Sequence, residues 1–131
     1  MTSIKDLYQS GDWKAEKHVP TIVAPDKAAK GEVFSIEVSV GKEIAHPNTS
    51  VHHIGWIEVY FFPEGEKFPI QISRCEFTSH GASAQGSDTS TIYSVPAANI
   101  FFKTEKSGTI LASSYCNIHG LWEGSQAITI E

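Results

Sequence analysis

Residues Glu32 to Val40, EVFSIEVSV, set Phe34, Ile36, Val38 and Val40 on one side of an extended chain and Ser35, Glu37 and Ser39 on the other. Successive side chains of a strand point to opposite faces, so a two-residue period of this regularity describes a half-buried strand, entered here from the turn residue Gly31. Further segments continue the theme. His53 to Phe62, HIGWIEVYFF, is rich in β-branched and aromatic residues, and Pro63-Glu64-Gly65 closes it with turn chemistry. Phe68 to Thr78 reads as another strand, and Thr91 to Val95 and Ile100 to Thr104 read as strands on either side of a Pro-Ala-Ala-Asn break. Glu105 to Gly108 reads as a hairpin turn into a strand from Thr109 to Cys116, and Ala127 to Ile130 ends the chain as a last strand. Short strands separated by turn signals, with almost no helix, predict an all-β fold, an antiparallel sandwich or barrel.

At 131 residues the chain fits a single domain, 1–131, able to bury a core without disulfides or a stapling metal. Ser3 followed by Asp6, with Ile4, Leu7 and Tyr8 on one side, predicts a short N-terminal helix of about two turns within an extension over residues 1–12. The stretch from Ser79 to Ser90, SHGASAQGSDTS, is a small and polar loop between strands. A net charge of −5 offers no basic face to nucleic acid, and no apolar run is long enough for a membrane span. The N-terminus has Lys5 and Asp6 where a signal peptide needs an apolar run, so a cytoplasmic protein is expected.

The chemistry lies in the histidines and one cysteine. His18 falls in a loop held by Pro20, His46 and His52 flank PNTSV, and Cys116 and His119 share the loop after the Thr109 strand. Each alone is an ordinary residue, but five strong ligands in three Pro- or Gly-punctuated loops favour a metal, since loops at strand ends can meet at one rim of a sandwich. His52 and His53 are adjacent, so on a strand only one of them reaches a given metal. His80 is expected to be solvated, and Cys75, between Arg74 and Glu76, to be a packed thiol. Four imidazoles and a thiolate leave one octahedral position open, which suits substrate chemistry better than structural zinc. A cupredoxin-like copper carrier would need an axial ligand that is usually Met, and Met1 is the sole methionine.

The segments EKHVP (16–20), SVGKEIAHPNTSVHHIGWIEVYFFPEG (39–65) and SYCNIHGLWE (114–123) resemble the superoxide reductases of the one-iron, neelaredoxin type, over a span from about Asp12 to the C-terminus. The resemblance implies an immunoglobulin-like β-sandwich and a mononuclear non-haem iron, Fe2+/Fe3+, held by His18, His46, His52 and His119 with Cys116 as axial thiolate. His53 would be the non-ligand neighbour. It further implies Glu16 as a carboxylate able to cap the ferric ion, and Lys17 as a cation beside the open ferrous site. Superoxide would be reduced by one electron to hydrogen peroxide, a rubredoxin-like carrier would re-reduce the iron, and the oligomer would be a homotetramer. The four-cysteine domain of some family members does not carry over, because the chain has only Cys75 and Cys116.

Overall fold

The computed structural model of the protein describes residues 1–131, in which eight strands build two facing sheets. Strands β1 (Pro20–Val23), β3 (Phe34–Val40) and β6 (Ala97–Phe102) form the smaller sheet in the order β1-β3-β6. The larger sheet contains β2 (Lys27–Ala28), β4 (Ile54–Pro63), β5 (Ile70–Glu76), β7 (Gly108–Cys116) and β8 (Gly120–Ile130), in the order β2-β8-β7-β4-β5. Every pairing is antiparallel except the two-residue contact of β2 with β8. This is the sandwich expected from the alternating segments.

Ile36, Val38 and Val40 of β3 and Ile100 of β6 meet Ile54, Ile57, Val59 and Phe61 of β4, Ile110 and Cys116 of β7, and Ile128 of β8 in one buried cluster. Burial of each large aliphatic side chain is worth roughly 1.5–3 kcal/mol. Exposed ion pairs such as Lys27–Glu131, 3.1 Å apart, add about 0–1 kcal/mol each, so the cluster and not the surface charges holds the sheets together. Phe102 packs against Phe34 and Phe61, with ring centroids 4.6 and 5.7 Å away, and seals one end.

Several elements differ from the sequence expectation. The N-terminal helix is only a 3-10 turn over Ile4–Asp6. Tertiary contacts win there: Gln9 makes a parallel bridge with Trp122 and the Tyr8 hydroxyl bonds Ser113 Oγ at 2.8 Å, which draws the chain out along β8. Residues 91–95 form no strand, because Thr91 adopts φ 62° and only Tyr93 makes an isolated bridge, to His80. Residues 105–107 form no hairpin but cross between the sheets, since β6 pairs with β3 while β7 pairs with β4 and β8. β6 begins at Ala97, so Ala97, Ala98 and Asn99 belong to the strand and not to a break, and β8 is an eleven-residue strand and not a four-residue one. Its first half shows little apolar alternation, yet it pairs with β7 along the whole length from Gly120↔Cys116 to Ile128↔Gly108. The short β1 and β2 have no alternation long enough to announce them.

Candidate metal centre

Three chain segments deliver the ligand-type side chains to one rim of the sandwich. The first is the approach to β1, where Asp12 organises a turn by accepting from the N–H groups of Lys14, Ala15 and Glu16. His18 follows, buried, and the indole of Trp122 stacks on its ring at 5.0 Å and 15°. The second is the loop from Gly41 to His53. Gly41 holds φ 89°, and a Cβ there would lie 2.5 Å from the His46 nitrogen, so glycine is required for the chain to double back and bury His46. The third is the hairpin loop Asn117-Ile118-His119 between β7 and β8, closed by Gly120 at φ 84°.

The four imidazoles form a closed cycle. His46 lies next to His18 and His52, with centroids 4.8 and 4.6 Å apart, and His119 lies next to the same two at 4.6 and 5.0 Å. His18 and His52 face each other across the cycle at 6.2 Å. Cys116, fully buried at the end of β7, brings Sγ to 3.6 Å from His46 Nε2 and 3.8 Å from His119 Nδ1. Ligand atoms of His18, His52, Cys116 and His119 all lie within 4.8 Å of one another.

Which nitrogens face inward is decided by what the outward ones bind. His18 Nδ1 bonds Glu16 Oε1 at 2.6 Å, and an ionised carboxylate can only accept, so the proton sits on Nδ1 and Nε2 presents a lone pair to the centre. His46 Nδ1 likewise bonds the Pro47 carbonyl, leaving Nε2 free to point at Cys116. The inward atoms are close: His18 Nε2 is 3.0 Å and His52 Nε2 3.2 Å from His119 Nδ1. Two nitrogens each about 2.1 Å from a common ion, at right angles, would lie about 3.0 Å apart. A proton on His119 Nδ1 could serve only one of these neighbours, whereas a cation among the lone pairs serves them all, and the donor set therefore fits a metal.

Electrostatics keep the ligands available. Burial, opposed by the bond to Pro47 and reinforced by the charges of His18, His52 and Lys17, pushes His46 down to about 4. His52 is lowered by burial first and then by the charges of His119 and Lys17. Both rings are therefore neutral near pH 7, the form that binds metal. The hydrogen bond from His18 holds the Glu16 carboxyl below its usual range. Cys116 Sγ also accepts from the His119 backbone N–H at 3.4 Å.

A desulfoferrodoxin family profile matches residues 10–125. The chain belongs to the desulfoferrodoxin family. The sheets and loops match solved relatives along nearly the whole chain. A superoxide reductase (neelaredoxin) from Archaeoglobus fulgidus in the reduced form superposes with a TM-score of 0.88 at 55% identity, covering 94% of this chain and 98% of that one. The superoxide reductase of Pyrococcus furiosus is 52% identical over 98% of this chain and 99% of its own length. Neelaredoxin from Megalodesulfovibrio gigas is 48% identical over 96% and 97% respectively.

The structure brings together all five ligand-type residues that the sequence singles out, and excludes His53. That ring turns away from the cycle and stacks on His80, 3.6 Å between centroids and 7° between planes. His80 is thus half-buried and packed, not solvated. Cys75 is half-buried against the core and Cys116 unpaired, so no disulfide links them. Lys17 is half-buried, and its charge acts on His46, His52 and Glu16. Glu16 lies behind His18, bonded to that residue's backbone N–H and ring. The sequence reading misses Trp122, whose indole N–H donates to the His119 carbonyl at 3.2 Å while its face covers His18. Its position three residues beyond a ligand, in a segment rich in small residues, is the signal that could have marked it.

Proposed function

We propose that the protein reduces superoxide to hydrogen peroxide at a single iron held by His18, His46, His52, His119 and Cys116. The chain is an oxidoreductase of the superoxide reductase class, as its relatives are named. The observation that carries the reading is the closed cycle of four imidazoles with the Cys116 sulfur against it. Bound iron would supply the single electron that, with two protons, converts superoxide to peroxide. Four nitrogens and one soft thiolate would suit iron and would leave it able to take a small anion as a further ligand.

The chain's own residues do the rest. Lys17 supplies positive charge beside the cycle and so draws the superoxide anion toward it. Glu16 fixes the tautomer and orientation of His18 through the 2.6 Å bond. Glu16 would also supply the carboxylate that caps the oxidised centre. An electron donor must complete the cycle, and a small rubredoxin-like carrier is the candidate that the family resemblance supports. A homotetramer in the cytoplasm completes the proposal.

Metal analysis with absorption spectroscopy, followed by Cys116→Ser, tests it. The parent should contain one iron per chain and show a thiolate charge-transfer band in the oxidised form, and the variant should lose that band and most superoxide reduction. Copper or zinc in place of iron, or a variant that keeps both band and activity, would refute the assignment. Sedimentation giving a monomer would refute the tetramer.

A further inference from the structure

We infer that Asn117 is a positioning residue that sets the separation of two ligand-bearing loops, and with it the fit of the donor set to its metal. The inference rests on the reading of the five side chains as metal ligands. The β4–β7 ladder ends at the pair Ile54↔Cys116, after a register slip between Ile54 and Trp56. Beyond that pair the loop carrying His52 and the hairpin loop carrying His119 have left the sheet, while Cys116 is the last residue of β7. Asn117 spans the gap between them.

Its carboxamide holds both peptide units that flank His52. Oδ1 accepts from the His53 N–H at 2.8 Å, and Nδ2 donates to the Val51 carbonyl at 3.0 Å. The Asn117 backbone N–H adds a third bond, to the His53 carbonyl at 3.2 Å. The His52 loop is closed on itself as well. Its His52 carbonyl accepts from the Thr49 N–H at 2.8 Å, and Asn48 Oδ1 accepts from the Ile54 N–H at 3.0 Å. A loop braced in this way moves as a unit, so its placement depends on the few bonds that tie it to the hairpin.

Only a short carboxamide offers a donor and an acceptor in one fork at this reach. Asp keeps the acceptor and loses the donor, while Ala loses both. Asn117 is exposed and takes no part in the buried cluster, so the hydrophobic core does not depend on its side chain. A 3.2 Å contact between His52 Nε2 and His119 Nδ1 is what slackens when the two loops drift apart.

The test compares the full chain with Asn117→Ala and Asn117→Asp, each loaded with Co2+, whose ligand-field and thiolate charge-transfer bands report site geometry. Outer residues that orient metal ligands typically change affinity by about 10–100-fold. Asn117→Ala should therefore bind Co2+ about 10–100-fold more weakly in competition with a chelator, with shifted ligand-field bands, and Asn117→Asp should fall between it and the parent. The metal-free urea midpoint should be the same in all three proteins. Affinity within about twofold of the parent with unshifted bands overturns the inference. So does a metal-free midpoint that falls in step with the affinity, because the side chain would then support the fold and not the site. If Asn117→Ala does not fold, the same limits apply to Asn117→Asp. A parent that takes up no Co2+ overturns the metal-centre reading itself, whereas a parent that binds while its variants match it overturns only the role of Asn117.

Discussion

Lys17 is half-buried, and its charge adds a small contribution to the burial that disfavours protonation of His46 and His52. The protein carries a net charge of −5, so attraction for an anion must be local. Lys17→Ala should slow superoxide capture by about tenfold or more and flatten the dependence of the rate on ionic strength, while Lys17→Arg retains most of both. Pulse-radiolysis rates for the three proteins across salt concentrations check this, and equal rates and slopes would remove the steering role. His46 supports a second prediction. Its folded-state pKa of about 4 lies below the usual 6.5, so the folded protein binds fewer protons than the unfolded chain between those values. Stability from this residue is complete above the usual value and is lost as pH falls toward about 4. The urea midpoint of the metal-free protein should accordingly drop between neutral pH and mild acid, and His46→Gln should drop less. A variant whose midpoint falls as steeply as the parent's would show that other groups dominate.

At the scale of elements, β8 approaches β1 closely enough that a Cβ on Gly124 would lie 2.6 Å from the Pro20 carbonyl oxygen. Pro20 opens β1 two residues after His18, and Trp122 on β8 covers the His18 ring, so this contact sets a wall of the centre as well as a sheet edge. Gly124→Ala should destabilise the protein by about 1–3 kcal/mol, the usual cost of overpacking, and weaken metal retention together with it. Urea unfolding and chelator competition measure the two effects. A variant as stable as the parent would mean that β1 shifts without strain. The polar loop before β6 is also an element of the centre. It fastens to the His46–His52 segment through Ser50 Oγ to the His80 carbonyl at 2.9 Å, Ser50 N–H to Asp88 Oδ1 at 3.1 Å, and Asn48 to the Ser94 carbonyl.

For the whole molecule, the buried cluster spans both sheets, and Cys116 is the one ligand-type residue within it. The sandwich should therefore remain folded when metal is removed, with the same far-ultraviolet circular dichroism. Metal at about a thousand times its dissociation constant stabilises by about 4 kcal/mol, so loading should raise Tm by on the order of 10 °C. Calorimetry of loaded and stripped protein checks it, and loss of cooperative unfolding on stripping would show that the metal is needed for the fold. No helix is long and apolar enough to cross a membrane.

The period-two run from Phe34 to Val40, the aromatic and β-branched run of β4, and the loop positions of His18, His46, His52, Cys116 and His119 were legible in the sequence, because alternation and ligand chemistry are local properties of the chain. The partners were not local. Which sheet β6 joins, the full length of β8, and the replacement of a helix by a pairing at Gln9 follow from contacts between residues far apart in the chain. The same holds within the centre. Adjacency alone says that His52 and His53 point apart, but only the fold turns His52 into the cycle and lays His53 on His80, because packing across separate loops chooses which face is the inside.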